Sequence, residues 1–166
     1  NQAMVFIDNK KYNEASIALQ RAGSYKKAKD LVNMPFYLEA EGLLQEGMYE
    51  QSSEAFQRAG NYKDAVARIG EPFYAEAELL LQEGSYEQAS EAFRKAGNYK
   101  DAASRVGEPF YTDAEHLLQE GSYEQASEAF RRAGNYKDAA SRVNEPFLAE
   151  AEEYLEDGNS FQAAFS

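Results

Sequence analysis

The feature that most constrains this chain is an internal repeat of 37 residues. Residues 71–107 read EPFYAEAELLLQEGSYEQASEAFRKAGNYKDAASRVG, and residues 108–144 match them at 32 of 37 positions. The remaining copies are more divergent or truncated and span 34–70, 1–33 and 145–166. A repeat of this length is typical of a solenoid, in which each unit buries its apolar side chains against its neighbours. We therefore interpret 1–166 as a single repeat domain and number the copies repeats 1 to 5 in chain order.

The apolar side chains of each repeat recur with helical spacing. In repeat 3 one stripe begins at Phe73, a second at Tyr86 and a third at Tyr99. No segment alternates with a period of two, and residues that favour helices dominate the composition. The sequence therefore predicts an all-α fold with three helices per repeat, of about a dozen, eleven and eight residues.

Residues that favour helix ends separate these three stripes. Gly84 and Gly97 stand where a left-handed residue is expected just after a helix. Ser85 is a candidate N-cap, and Gln88 three residues later completes a capping box. The third helix is expected to begin at Asn98, and Asp101 would place a negative charge in its first turn.

The joint between one repeat and the next has its own pattern. Positions 33, 70, 107 and 144 hold Asn, Gly, Gly and Asn, and a proline follows two residues later each time. Asn and Gly share a tolerance of positive φ, while proline is suited to the first turn of a helix. We therefore expect a left-handed residue to end the third helix at this joint. The alternative is a single kinked helix that continues into the next repeat.

The charge and composition exclude several classes of function. The chain has no cysteine, so disulfides, thiolate metal sites and cysteine nucleophiles are excluded. Its 29 acidic and 17 basic residues give a net charge of −12, which repels nucleic acid and anionic membranes, so neither is an expected partner. No signal peptide is recognisable, and no apolar run approaches the roughly 18 residues that cross a bilayer. Together these features favour an intracellular location.

The second stripe of each repeat resembles the tetratricopeptide repeat. That family's G-x-Y-x-x-A-x-x-x-[FY]-x-x-A spacing is complete in repeat 3, at Gly84, Tyr86, Ala89, Phe93 and Ala96. The resemblance implies a right-handed α-solenoid of paired antiparallel helices. The chain departs from the family in its period, which is 37 rather than about 34 residues. A short third helix replaces the family's proline, and in helix number the unit is also similar to an armadillo repeat.

Few residues in the chain suggest catalysis. His116 is the only histidine, and other repeats carry Leu, Gly or Val at its position, so we expect it at the surface. The carboxylate pairs Glu76 with Glu78 and Glu150 with Glu152 recur as one helix face, which is expected to be solvated. Phosphate-binding and calcium-binding loop motifs are absent from the sequence. We therefore expect no catalytic residue, no metal site and no cofactor, and the chain is predicted not to be an enzyme, although a carboxylate-only mechanism remains an alternative.

The resemblance also implies a binding face, because first helices line the concave groove of tetratricopeptide arrays. Carried over by position, this first-helix face consists of Tyr37, Glu41, Gln45, Tyr74, Glu78, Gln82, Tyr111, Glu115, Gln119, Leu148, Glu152 and Glu156. The set contains no Lys or Arg, so we expect it to attract a basic peptide or partner protein. The alternative is that these residues only confer solubility, or that the tyrosines fill the groove.

These observations predict a non-catalytic scaffold for protein–protein interaction. One alternative is a structural spacer or self-assembling module, natural or designed by idealising a repeat, and another is an accessory domain of an enzyme. Repeat 5 stops within its expected second helix, which leaves Phe161 and Phe165 without an evident partner. This indicates either a piece excised from a longer protein or an end that packs on another molecule, so end-to-end self-association is a further expectation.

Overall fold

The computed structural model describes residues 2–164, apart from the side chains of Lys26 and of 157–164. Over these residues every regular element is helical, which confirms the predicted all-α solenoid class. The first helices of the five repeats are Gln2–Asp8, Met34–Gln45, Glu71–Gln82, Glu108–Gln119 and Glu145–Ala164. The second helices are Tyr12–Ala22, Tyr49–Ala59, Tyr86–Ala96 and Tyr123–Ala133. The short third helices are Ala28–Leu31, which follows a 3₁₀ turn at Tyr25–Lys27, then Ala65–Arg68, Ala102–Arg105 and Ala139–Arg142.

The chain forms two compact bodies. The N-terminal body comprises Asn1–Glu78 with Lys95–Ala103, and the C-terminal body comprises Leu79–Arg94 with Ser104–Ser166. Repeat 2 lies wholly in the N-terminal body and repeat 4 wholly in the C-terminal body. These two repeats therefore provide independent views of one complete unit.

A buried phenylalanine of the second helix forms the centre of each of these two repeats. Phe56 in repeat 2 is surrounded by alanines of the first, second and third helices, and the ring of Tyr37 meets it edge-on at 5.7 Å. Phe130 occupies the same place in repeat 4, with Tyr111 at 5.6 Å. Burying such a ring contributes about 2–3 kcal/mol, and the alanines allow the helices to approach it closely.

The predicted left-handed glycines are confirmed at the first two helix ends. Gly84 has a φ of +73° and Gly97 a φ of +61°, so both adopt a conformation that residues with a Cβ rarely accept. The capping-box prediction fails where the structure tests it. Ser122, the equivalent of Ser85 in repeat 4, makes no side-chain hydrogen bond to its helix.

The left-handed residue predicted at the joint between repeats is wrong, although the predicted break is confirmed. The third helix ends at Arg105 and the next helix begins at Glu108, yet Gly107 has a φ of −85°. The reason for glycine is space: a Cβ on Gly107 would lie 2.2 Å from the carbonyl oxygen of Ala133 and 2.8 Å from the Cβ of Tyr136. Gly107 therefore permits a close backbone approach rather than an unusual turn.

The third helix is half as long as predicted, and it does not begin at Asn98. It has four residues in repeat 3, from Ala102 to Arg105. The residues between the second and third helices form a tight turn, in which Tyr99 N–H donates to the Ala96 carbonyl at 3.1 Å and Lys100 has a φ of +48°. The residue with positive φ is therefore Lys100, and the helix can begin only after it.

A serine of the second helix stabilises the end of the third helix. Ser53 Oγ donates to the carbonyl of Ile69 at 2.8 Å in repeat 2, and Ser127 Oγ donates to the carbonyl of Val143 at 2.7 Å in repeat 4. The last carbonyl groups of a helix have no partner within it, so these bonds satisfy acceptors that are otherwise left over. The serines fix the third helix against the second.

Repeat 5 departs from the predicted two-helix arrangement. Its backbone is one helix from Glu145 to Ala164, which continues through Gly158 instead of ending there. In repeat 4 the equivalent Gly121 has a φ of +73° and its neighbour Tyr123 packs beside it. Repeat 5 has serine in place of that tyrosine, so this packing cannot form. The packing partners of Phe161 and Phe165 cannot be assigned, because these side chains lie outside the described part of the chain.

Candidate protein-binding face

The first-helix face of repeat 2 is built around a buried tyrosine and an arginine from the third helix. Tyr37 donates its hydroxyl to Asp64 Oδ1 at 2.7 Å. Arg68 Nη1 donates to the Tyr37 oxygen at 2.6 Å and to Glu41 Oε1 at 2.9 Å, while its Nε donates to Glu71 Oε2 at 2.5 Å. Every polar group at the centre of this cluster therefore has a partner.

Repeat 4 reproduces the cluster in the other body. Tyr111 donates its hydroxyl to Asp138 Oδ1 at 2.8 Å, and Arg142 Nη1 donates to the Tyr111 oxygen at 2.7 Å and to Glu115. Arg142 Nε also donates to Glu145 Oε2 at 2.5 Å. Two bodies that share no residue thus form the same arrangement.

A lysine covers the tyrosines of each cluster. Lys63 Nζ lies 4.7 Å from the ring centroid of Tyr37 and 5.7 Å from that of Tyr62. In repeat 4, Lys137 Nζ lies 5.0 Å from the ring of Tyr111 and 5.2 Å from that of Tyr136. The lysines sit at the left-handed residue before the third helix, so the backbone turn directs their cations onto the aromatic rings.

These contacts add cations from other segments to the predicted first-helix face. The first helices carry no Lys or Arg at the predicted positions, but the third helix and its turn bring Arg68, Arg142, Lys63 and Lys137 to the same side chains. The spacing could have suggested this, because R and K-D recur at fixed positions in every 37-residue copy from repeat 2 to repeat 4. What the sequence does not show is that the four-residue third helix packs back onto the first.

Hydrogen bonding fixes the protonation of the clusters. The Tyr37 hydroxyl holds the pKa of Asp64 below its usual value, and burial together with that hydrogen bond raises the pKa of Tyr37. In repeat 4 the bond to Asp138 and burial raise the pKa of Tyr111, and the pKa of Asp138 is lowered in turn. At neutral pH each cluster therefore combines a neutral tyrosine with an ionised aspartate and a charged arginine.

The carboxylates of the clusters reach solvent more than the guanidinium groups do. The Glu41 side chain is 40% exposed and that of its partner Arg68 is 18% exposed. The corresponding values for Glu115 and Arg142 are 36% and 18%. The carboxylate is therefore the more exposed member of each arginine–glutamate pair.

The other predicted face residues vary in their surroundings. Tyr74 donates to Asp101 Oδ1 at 2.8 Å in the N-terminal body, and Lys100 Nζ lies 5.0 Å from its ring. Glu78 is half-buried. The exposed members of the set are Gln45, Gln82, Gln119, Leu148, Glu152 and Glu156.

The candidate chemical groups differ in their exposure. His116 is exposed as predicted, and its Nδ1 lies 2.8 Å from the hydroxyl of Tyr86. Of the carboxylate pairs predicted to be solvated, only Glu152 is exposed, whereas Glu76, Glu78 and Glu150 are half-buried. Among the residues that the structure describes, no three His, Cys, Asp or Glu side chains are grouped so that they could hold a metal ion. None of the described helices combines the length and the apolar character needed to cross a membrane.

No protein-family model, curated protein or solved structure matches this chain. The resemblance to tetratricopeptide repeats therefore stays a prediction.

Proposed function

We propose that this chain is a non-catalytic scaffold that binds a peptide or a partner protein on its first-helix face. The observation that carries this proposal is the unequal exposure of the arginine–glutamate pairs, because the side chains of Glu41 and Glu115 are about twice as exposed as those of the arginines that hold them. Since the inner oxygens are held by arginine, the outer edges are fixed in position. A fixed acceptor loses less side-chain entropy on binding than a mobile one.

The chemistry of this face favours a basic ligand. Lysine or arginine side chains of a partner can reach the outer oxygens of Glu41 and Glu115, and the net charge of −12 attracts such a partner over a longer distance. The exposed Gln45 and Gln119 lie at the end of the same helices and offer hydrogen bonds to a peptide backbone. We assign the repeats to a tetratricopeptide-like group as part of this proposal, supported by the alanine and phenylalanine packing of the second helices.

A labelled library of Lys- and Arg-containing peptides tests this function by fluorescence anisotropy at low and high salt. We expect saturable binding that weakens as salt rises, and a loss of roughly three- to tenfold in affinity for the double variant Glu41→Gln with Glu115→Gln. The matched control is Glu54→Gln with Glu91→Gln, which removes the same charge from exposed positions on second helices. If no peptide binds, or if the control loses as much affinity, the proposal is wrong.

A second function, self-association, is favoured by the exposure of apolar side chains in repeat 5. Leu148, Tyr154 and Leu155 are all exposed on the first helix of that repeat. Leu148 and Leu155 are seven residues apart and so share one face of the helix, and exposed apolar side chains on one face are typical of protein interfaces. Light scattering over a concentration series distinguishes the two functions, because only a self-associating module gains mass as its concentration rises.

A further inference from the structure

Within the N-terminal body, the joint between repeats 1 and 2 is wider than the joint between repeats 2 and 3. A Cβ on Gly70 at the later joint would lie 2.2 Å from the carbonyl oxygen of Ala96 and 2.8 Å from the Cβ of Tyr99. Asn33 occupies the equivalent position at the earlier joint and has a Cβ, so repeat 2 cannot approach it as closely. The Asn33 side chain instead lies beside Gly60, because its Nδ2 is 3.7 Å from the place where a Cβ of Gly60 would stand.

An open cleft of about 410 Å³ lies at this wider joint. One wall comes from the third helix of repeat 1 and the joint residue after it. The other wall comes from the turn that precedes the third helix of repeat 2. The lining residues are Lys29, Asp30, Asn33, Asn61, Tyr62 and Lys63. All six have a polar group, so the cleft is suited to a polar ligand.

Half of this lining is generic to the repeats and half is not. The Asn-Tyr-Lys wall of the turn recurs in repeats 3 and 4. On the other wall, the positions of Lys29 and Asp30 hold Val and Ala in repeat 2 and Ala and Ser in repeats 3 and 4. The sequence therefore places a lysine and an aspartate at this joint and at none of the later ones.

The donor groups of the cleft are available to a ligand. Asn33 precedes the first helix of repeat 2, but its side chain makes no capping hydrogen bond. Within the described part of the chain, the side chains of Lys29 and Asn61 also have no hydrogen-bond or ion-pair partner. Lys63 has a φ of +49°, and its Nζ lies 5.7 Å from the ring centroid of Tyr62. A cation held in this way loses less freedom on binding than a mobile one.

The part of the chain around the cleft is basic although the whole chain is acidic. Residues 1–33 contain six Lys or Arg and three Asp or Glu, whereas the net charge of the chain is −12. Lys27, two residues before Lys29, is exposed. Charges more than about 8 Å apart are largely screened at physiological salt, so nearby charges decide what the cleft attracts. These nearby charges favour an anionic group.

We propose that this cleft binds an acidic side chain of a peptide segment in a partner protein. Lys29 and Lys63 provide cations for the carboxylate. The amides of Asn33 and Asn61 donate hydrogen bonds to the carboxylate or to the backbone carbonyls beside it. Asp30 accepts a backbone N–H of the segment, and its negative charge disfavours a ligand that is anionic along its whole length, such as nucleic acid.

The probe is the blocked peptide acetyl-Gly-Ser-Glu-Glu-Ser-Gly-amide, titrated into the ¹⁵N-labelled full chain and followed by NMR. Its blocked ends leave the two glutamates as its only charges. We expect saturable shifts of the side-chain NH₂ signals of Asn33 and Asn61, with an affinity that weakens as salt rises. The matched peptide with Gln in place of both Glu residues is expected to bind roughly tenfold more weakly, because it offers the cations no carboxylate.

Variants that introduce the residues of later repeats locate the site. Lys29→Ala, which matches repeats 3 and 4, is expected to weaken binding roughly five- to tenfold. Asn33→Gly, which matches the next two joints, removes an amide donor and the Cβ that keeps the joint wide, so a loss of roughly tenfold is expected. Circular dichroism checks that both variants keep their helix content.

The matched control is Lys11→Ala, which removes the same charge from an exposed lysine of repeat 1 outside the cleft. It is expected to change the affinity for the acidic peptide less than about twofold. If the two Asn signals do not shift, or if Lys11→Ala loses as much affinity as Lys29→Ala, the acidic-peptide site is wrong. If inorganic phosphate shifts these signals more strongly than the peptide does, the assignment to a carboxylate is wrong.

The inference is independent of the first-helix face, so the two proposals fail separately. The first-helix face is tested with basic peptides and this cleft with an acidic one. The acidic peptide is expected to keep its affinity in the double variant Glu41→Gln with Glu115→Gln, which supports a separate site. A loss in that double variant as large as the loss in Lys29→Ala overturns the placement of the peptide in the cleft.

Discussion

The first helices of repeats 4 and 5 start with nearly the same sequence and differ in what covers them. Both begin with Glu-Pro-Phe, and Pro109 and Pro146 are both buried, so the two helices enter the C-terminal body alike. Beyond that point Phe110 is buried while Phe147 is exposed. Repeat 4 has a second helix and a third helix that pack on its first, whereas repeat 5 continues as one helix.

The difference shows that burial belongs to the complete unit rather than to the helix sequence. The apolar stripe of a first helix must be covered by other apolar side chains, and in a complete repeat the second and third helices provide these side chains. In repeat 5, where no second or third helix is packed on it, the equivalent residues are exposed.

The largest expected effect comes from truncating the equivalent phenylalanines. Phe110→Ala is expected to lower the free energy of unfolding by about 3–4 kcal/mol, because it leaves a cavity among Phe130 and the surrounding alanines. Phe147→Ala is expected to cost less than about 1 kcal/mol, since the ring is already half in water. Urea denaturation of both variants measures the difference. Similar losses for the two would show that the repeat 5 helix is covered in solution.

The second comparison uses the joint that precedes each of these helices. Gly107→Ala places a methyl group against the Ala133 carbonyl oxygen and is expected to cost about 2–3 kcal/mol. Asn144, at the equivalent joint, already has a Cβ and is exposed. Asn144→Ala is therefore expected to change the free energy of unfolding by less than about 0.5 kcal/mol. The same denaturation experiment measures both. If Gly107→Ala is tolerated as well as Asn144→Ala, the close approach at this joint is not rigid.

The helical period made most of the fold predictable from the sequence. In repeats 2 to 4 apolar spacing predicts the first and second helices to within a residue or two, and the glycines at 84 and 97 predict helix ends, because local backbone preference decides there. At Gly107 the same reasoning predicts a positive φ, whereas the observed φ is −85°. The constraint there is a carbonyl oxygen from a residue 26 positions later in the chain, which no local pattern reveals.

The candidate site was predictable only in part for the same reason. The positions of Tyr37 and Glu41 on one helix face follow from their spacing, but their pairing with Arg68 depends on how a four-residue helix packs back over 27 to 31 residues of chain. The repeat pattern carried a signal in the recurring lysine, aspartate and arginine. Interpreting it required the tertiary contact, because a short helix of this kind has little intrinsic stability.

A smaller effect distinguishes two serines of repeat 4. Ser127→Ala is expected to cost about 1–2 kcal/mol, because the Val143 carbonyl loses its buried hydrogen-bond donor. Ser122→Ala is expected to cost less than about 0.5 kcal/mol, since Ser122 makes no capping bond, whereas a true N-cap would cost about 1 kcal/mol. Thermal denaturation of the two variants tests this. A larger loss for Ser122→Ala would restore the capping box that the structure does not contain.

The smallest effect is a pH dependence that repeat 4 has and repeat 5 lacks, because Leu148 stands where repeat 4 has Tyr111. The Tyr111 hydroxyl lowers the pKa of Asp138 in the folded chain, so this bond stabilises the fold above the ordinary aspartate pKa of about 3.9. Its contribution is lost as the pH falls through the lowered pKa. In Tyr111→Phe we expect the carboxyl pKa of Asp138, measured by NMR titration, to rise towards its ordinary value, and the acid side of the stability curve to flatten.

The matched control lies in the other body of the same variant. Asp64 keeps its bond from Tyr37, so its pKa is expected to remain lowered while that of Asp138 rises. The alkaline side follows the opposite sign: the raised pKa of Tyr111 means that its bond is present below about pH 10 and is lost as the hydroxyl ionises above that. If Tyr111→Phe leaves the pKa of Asp138 unchanged, Arg142 and Lys137 hold that carboxylate ionised without the tyrosine. The difference between the two repeats would then depend on cations alone.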